Sequence, residues 1–452
     1  MNRRACVSFL ASAPFVLRKA AAQRTSRPPN ILFILADDLG YGDCGCYGQQ
    51  KMKTPHIDQL ASEGMKFTDF YAGDTVCAPS RCCLMTGYHT GHGRIRGNKA
   101  AKTPEERQRI ALRTEDVTVA EVLKKAGYAT GIFGKWGLGL EGTTGIPNKK
   151  GFDEWFGYLD QTQAHEYYPD YLWENEKKVT LHHQYSDDLF TERGVDFLKR
   201  HKSDPFFLYM AYTLPHANNE LFRATGNGNQ VPSDAPYTNE PWTQPNRDFA
   251  AMVSRLDDGV QALIDTLHSN DLDRDTLVIF TSDNGPQKEG GNDPSFFNSS
   301  GPLRGIKRDL YDGGIREPMI ARWPGHIKEG SLSHFAGAFW DFLPTAAEIA
   351  GTTAPAGIDG ISFLPTLLGK TQKQHDYLYW EFHERGFTQA VRMGEWKGVR
   401  PKTNTPVELY DIRKDIGEKN NIASEHPAET KRIEAIMKQA HVQNSEWPDP
   451  RA

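Results

Sequence analysis

Cysteine is scarce, with six in 452 residues. Cys6 lies in the first 22 residues. The other five, Cys44, Cys46, Cys77, Cys82 and Cys83, are an odd number, so at least one stands outside any internal disulfide. Neither Cys44 and Cys46 nor Cys82 and Cys83 has the C-x₂-C spacing of a zinc site, and these four read as buried free thiols. Long apolar runs are absent too. Even Ala5–Leu17, interrupted by Pro14, is too short to cross a bilayer, which excludes stable membrane insertion. No excess of basic charge exists: the formal net charge is −5. It falls to −9 if residues 1–22 are removed, because that segment carries Arg3, Arg4, Arg18 and Lys19 and no acid. General affinity for nucleic acid is thereby excluded, and an anionic substrate must be drawn by a local basic cluster. Internal repeats and low-complexity tracts are missing, which leaves an ordinary globular chain with 38% hydrophobic and 25% charged residues.

Residues 1–22 have the layout of an export signal. Arg3 and Arg4 form a positive start, Ala5–Leu17 an apolar centre, and Ala20-Ala21-Ala22 a small-residue cleavage site. The expected location is periplasmic or secreted, by the general or the twin-arginine route.

The body of the chain alternates strand-like and helix-like segments. Ile31–Ala36 is continuously apolar, as in a strand buried on both faces, and runs into Asp37-Asp38. Thr276–Thr281 runs into Asp283-Asn284-Gly285, Phe206–Tyr212 into Pro215-His216, and Tyr128–Phe133 into Gly134-Lys135. Lys66–Tyr71 leads through a short loop to Cys77. Thr118-Val119-Ala120-Glu121 is a capping box opening a helix that stops at Gly127. From Phe249, apolar residues recur through Leu267 on one helical face. This alternation predicts an α/β sandwich with a mostly parallel sheet, whose ligands gather beyond the carboxyl ends of its strands. Five strand ends bearing reactive polar residues nominate one shared site. Beyond about residue 370 the texture changes. Tyr377–Phe382, Gln389–Arg392, Trp396–Arg400 and Val407–Asp411 predict a small antiparallel sheet, with a helix near Ala428–His441 packed on it. The expected division is 29–370 for the large domain and 371–452 for the small one.

Cys77-Ala78-Pro79-Ser80-Arg81, with Leu84, Thr86 and Gly87, agrees at every fixed position with the signature C-x-P-S-R-x-x-L-x-T-G. On these residues the chain resembles the formylglycine-dependent sulfatases of the alkaline phosphatase superfamily. The resemblance runs from about Pro29 to the Glu408–Asn421 segment. It implies an alkaline-phosphatase-like α/β/α sandwich, with the smaller antiparallel sheet and its helix as a C-terminal addition. It also implies that Cys77 is oxidised to formylglycine by a maturation enzyme. Pro79 suits the first turn of a helix, which places residue 77 at a helix N-terminus where anions are favoured. An unmodified thiol there is expected to be acidic.

Asp37, Asp38, Asp283 and Asn284 offer only oxygen ligands, a set for a hard cation, calcium before magnesium. Alone, each pair also suits a strand-end turn or helix cap. The resemblance assigns one calcium ion to the four. It further makes Arg81 the holder of the nucleophile and the metal-side carboxylates. Lys135, in Gly134-Lys135-Trp136-Gly137-Leu138-Gly139, and Lys307, in Leu303-Arg304-Gly305-Ile306-Lys307, become the sulfate clamps, and His216 the acid that protonates the leaving oxygen. Gly137 departs from the pattern, because relatives carry there a histidine that touches the nucleophile. His165 is the expected replacement, ahead of His89 and His92. Arg96, Asn98, Asn218, His383 and Glu384 are expected leaving-group contacts, suited to the hydroxyls of a sulfated carbohydrate, of galactose or N-acetylgalactosamine type. Two other activities fit parts of this pattern. A phosphodiesterase or phosphonate hydrolase of the same superfamily shares the cysteine signature, and Gly137 alone recommends a non-catalytic glycan-binding relative.

Overall fold

The computed structural model describes residues 27–384 and 386–451. The export segment 1–22 lies outside the described residues. A ten-stranded sheet dominates. From edge to edge its strands are Ser331–Ser333, Met65–Phe67, Met319–Arg322, Thr276–Ser282, Asn30–Ala36, Phe206–Ala211, Ala129–Lys135, Glu154–Tyr158, Tyr171–Glu174 and Lys177–Thr180. Four adjacent parallel strands form its centre: β1 (Asn30–Ala36), β2 (Ala129–Lys135), β3 (Phe206–Ala211) and β4 (Thr276–Ser282).

Every residue of β1 is buried, and its alternate side chains enter opposite halves of the core. Ile31, Phe33 and Leu35 pack with helices Val119–Lys125 and Phe342–Ile349. Leu32, Ile34 and Ala36 pack with helices Pro55–Ser62, Ser186–Arg200 and Gln244–Ser269. This period-two division of a wholly apolar strand is what a sheet sandwiched between helix layers requires. The capping box at Thr118 and Glu121 forms, with the Glu121 amide donating to Thr118 Oγ1 and the Thr118 amide to Glu121 Oε2.

Register sets the site. Ala36 pairs with Ser282, so Asp37 and Asp283 leave the sheet side by side. Leu35 pairs with Ala211, and Ala211 with Gly134, which puts Lys135 one step beyond on the same edge. Gly134 sits at φ +121, where a Cβ would come within 1.9 Å of Ala211 O, so only glycine allows these strands to close here.

The segment Lys66–Tyr71 is two strands rather than one. Met65–Phe67 joins the large sheet, while Phe70–Tyr71 pairs with Gly337–Ala338 in a separate two-stranded sheet. The chain changes partners at Thr68-Asp69, where the Thr68 amide bonds Ser333 O and Asp69 meets Arg316 and Arg392. The second strand then delivers the helix Cys77–Thr86.

The C-terminal sheet has the antiparallel order Leu378–Phe382, Thr388–Met393, Trp396–Arg400, Glu408–Asp411. One face packs Trp380, Phe382 and Val399 against Tyr71, Cys83 and Trp340, which include a residue of the Cys77 helix. The other face packs Tyr379, Val391 and Leu409 against Ile433 and Met437 of the helix Pro427–Gln439.

Candidate active site

Cys77 is the first residue of its helix, 2% exposed, with Sγ 3.5 Å from Asp37 Oδ1. Asp37 follows β1, and its Oδ2 is held by Lys135 Nζ at 2.6 Å and Arg81 Nη2 at 3.2 Å. Arg81 also reaches Asp283 Oδ2 through Nε and Nη2, each at 2.9 Å, and donates from Nη1 to Lys135 O at 2.7 Å. On the other side, Lys307 Nζ lies 2.8 Å from Asp38 Oδ2 and 3.1 Å from His216 Nε2. Asn284 Nδ2 donates to Asp38 Oδ1 at 2.6 Å. Three carboxylates thus face three cations, all buried.

Electrostatics follow from this packing. Burial raises carboxylate pKa values, but Lys135, Arg81 and Lys307 hold Asp37 below its usual range. Asp38 is pushed up by burial against the pull of Lys307. Asp283 is raised to about 7 by burial and by Asp37. His216 donates from Nδ1 to Ala217 O at 2.7 Å, which leaves Nε2 to accept from Lys307. Burial and then Lys307 push its pKa well down, so the imidazole rests neutral. The expected acidic thiol is not found. Burial and the charge of Asp37 push Cys77 upward, outweighing Lys135 and Lys307. As cysteine, residue 77 is a protonated thiol.

The residues fit a hard cation. Ligand atoms of Asp37, Asp38, Cys77 and His216 all lie within 4.8 Å of one another. Asn284 Oδ1 is buried and has no hydrogen-bond partner among the described residues. A buried carbonyl oxygen left this way costs about 1–3 kcal/mol, which a bound cation offsets. Asp37, Asp38, Asp283 and Asn284 would supply only oxygen, which favours calcium or magnesium over zinc.

The other expected residues divide. His165 is brought in: its ring stacks on His216 with centroids 4.8 Å apart, and Nδ1 meets Glu220 Oε2 at 2.9 Å. His89 and His92 stack on each other beside Asp359 and Trp340, in a different cluster. Asn98 accepts from the Ala78 amide at 3.2 Å and lines a cavity of about 370 Å³ beside residue 77. His383 and Glu384 line a neighbouring cavity with Asn98 and Trp447. Glu384 also takes hydrogen bonds from the Asn98 amide and from Arg308. Two expected substrate contacts are structural. Arg96 is 2% exposed and commits its guanidinium to Glu381, Gly93 O and Val442 O. Asn218 caps the helix Asn219–Thr225 and donates to Gln230 and Glu166. Of the four accessory thiols, Cys44, Cys82 and Cys83 are buried, whereas Cys46 is half-buried. Glu289 was not anticipated. It braces Lys307 at 3.4 Å and pairs with Arg308, from a loop (287–291) whose sequence carries no recognisable signature.

Known proteins resemble this chain over most of its length. The Sulfatase family model matches residues 29–352, and the model of the N-sulphoglucosamine sulphohydrolase C-terminal region matches residues 306–446. Human N-acetylgalactosamine-6-sulfatase is 33% identical over 411 residues, covering 83% of this chain and 72% of that protein. Human arylsulfatase A is 33% identical over 489 residues, covering 94% and 89%. The crystal structure of Ps i-CgsB in complex with k-i-k-neocarrahexaose superposes with a TM-score of 0.82 at 28% identity, covering 94% of this chain and 95% of that one.

Proposed function

The chain belongs to the sulfatase family and is a sulfuric ester hydrolase, and we propose that it removes sulfate esters from a sulfated carbohydrate of galactose or N-acetylgalactosamine type. The observation that carries this reading is the meeting of Cys77, three carboxylates and three cations in one buried cluster. The name of the N-acetylgalactosamine-6-sulfatase relative and the neocarrahexaose held by Ps i-CgsB support the choice of carbohydrate. No helix among the described residues is long and apolar enough to cross a membrane. With the export-like segment 1–22, this fits a periplasmic or secreted enzyme acting on external glycans.

In this reading a maturation enzyme converts Cys77 to formylglycine, which would supply the hydroxyl nucleophile for sulfur. The raised thiol pKa supports that requirement, since unmodified cysteine is a poor nucleophile here. Asp37, Asp38, Asp283 and Asn284 would hold one calcium ion, which when bound would supply Lewis-acid polarisation at the sulfate group. Arg81 pairs with Asp37 and Asp283 and aligns them, and its bond to Lys135 O fixes that lysine's backbone. Lys135 and Lys307 flank residue 77 and face the charge that grows on the sulfate oxygens. Lys307 donates to Nε2 of neutral His216, and together they would hold the proton that the leaving oxygen takes up. His165, stacked on His216, extends this polar wall toward Glu220.

The test is paired turnover of 4-nitrophenyl sulfate and 4-nitrophenyl phosphate after co-expression with a maturation enzyme. Preference for the sulfate ester by at least tenfold is expected. Preference for the phosphate ester would assign the site to phosphodiester or phosphonate chemistry instead.

A further inference from the structure

Gly137 lies two residues past the end of β2, in a loop pinned by its neighbour. Trp136 donates from its amide to Tyr158 O and from Nε1 to Gly145 O at 2.6 Å. The backbone at Gly137 has φ +77, and a Cβ built there would come 1.9 Å from Gln161 Nε2. The Gln161 amide therefore occupies the volume that a side chain at 137 would fill.

Neighbouring strand ends produce this meeting. The strand Glu154–Tyr158 runs parallel to β2 with Tyr158 opposite Lys135, so the loop after it rises beside the lysine. Asp160 Oδ1 accepts from the amides of Thr162 and Gln163 at 2.8 and 3.0 Å, which fixes the loop around Gln161. The same loop carries His165 onto His216. Gln161 and Gly137 share the wall of the 370 Å³ cavity with Asn98 and with Ala78, the residue after Cys77. Gln161 Nε2 is buried and has no acceptor among the described residues.

An amide nitrogen cannot take a proton or bind a cation; it can only donate a hydrogen bond. A buried donor without an acceptor is costly, and no acceptor among the described residues offsets that cost. A half-turn about the last side-chain bond would exchange the nitrogen for the oxygen in the Gly137 notch and free the nitrogen to donate elsewhere. Resting on the sulfatase reading of this site, we propose that Gln161 is a substrate-binding residue whose amide donates to an acceptor oxygen of the bound sulfate ester or its sugar. Gly137 is glycine because its notch parks that amide between turnovers.

The experiment compares the parent enzyme with Gln161→Met, Gln161→Glu and Gly137→Ala on galactose 6-sulfate and on 4-nitrophenyl sulfate. Gln161→Met should lower kcat/KM by roughly ten- to hundredfold, the scale of a lost hydrogen bond to a charged group. Gln161→Glu should lower it further by setting a carboxylate against the substrate. The urea midpoint of Gln161→Met should equal or exceed the parent's, since an unsatisfied donor is removed. Gly137→Ala, by displacing the amide, should add little to the loss in the double variant. Loss on both substrates assigns the contact to the sulfate group, and loss on the sugar alone assigns it to the sugar. Unchanged kinetics in Gln161→Met, or a lowered urea midpoint in proportion to lost activity, would overturn the proposal. Calorimetric binding of galactose 6-sulfate in a Cys77→Ala background makes the comparison without turnover. An inactive parent therefore counts against the proposed function, while equal affinity with glutamine and methionine at 161 counts against this role.

Discussion

Arg81 spends its guanidinium on the anionic half of the site, touching both Asp37 and Asp283, while Asn284 Oδ1 is left without a partner. That asymmetry suits the proposed cation and gives a test without substrate. After chelation, added calcium should raise the melting temperature by several degrees, since a ligand at a hundred times its Kd adds about 2.7 kcal/mol. Asn284→Ala should blunt the shift. Chelation should also lower turnover at least a hundredfold, and calcium should restore it. A melting temperature indifferent to calcium would contradict the ligand set. Residues of this kind were legible because short motifs fix their neighbours: Asp37-Asp38, Asp283-Asn284, Cys77 to Arg81, Lys135 and Lys307. Arg96 and Asn218 misled because their partners are invisible locally. Glu381 is 285 positions from Arg96, and Asn218 looks the same in sequence whether it caps a helix or meets a sugar.

The central strands show how an element enforces the site. Gly134 at φ +121 faces Ala211 O so closely that any side chain must separate β2 from β3. Gly134→Ala should lower the urea unfolding midpoint, with a loss of at least about 2 kcal/mol and reduced activity through displaced Lys135. An unaltered midpoint would show that the strands can part without cost. The apolar run and abrupt polar exit of β1 made it readable, as did the capping box before Val119–Lys125. Lys66–Tyr71 was not readable as two strands, because its exchange of partners depends on Ser333, Arg316 and Arg392, remote in sequence. The last two strands of the sheet, Tyr171–Glu174 and the edge strand Lys177–Thr180, carry mixed polar residues, and their weak pattern gave no sign that the sheet extends so far.

At the scale of the molecule, the C-terminal sheet is tied to the large one by buried charge as well as by apolar packing. Asp312, which opens the short helix Asp312–Ile315, meets Lys397 Nζ at 2.5 Å and Arg316 Nη1 at 3.2 Å. Burial would raise its pKa, but Lys397 and Arg316 hold it near 2, below the ordinary 3.8. A depressed carboxylate stabilises the fold above its unfolded pKa, and the contribution is lost as pH falls through the folded value. The stability gap between the parent and Asp312→Asn should therefore shrink as pH falls from 3.8 to about 2, whereas Glu418, which shares Lys397 and is raised to about 8, affects the gap only at higher pH. Urea midpoints across that window measure it, and a gap that widens on acidification would refute the assignment.

The proposed chemistry rests on what residue 77 becomes. Preparations expressed with graded amounts of maturation enzyme can be scored by peptide mass spectrometry for conversion of Cys77 to formylglycine, and assayed in parallel for sulfate release from 4-nitrophenyl sulfate. The rate should rise in proportion to the converted fraction and pass through zero, with Cys77→Ala inactive throughout. Full activity in unconverted protein, or in Cys77→Ala, would contradict the account.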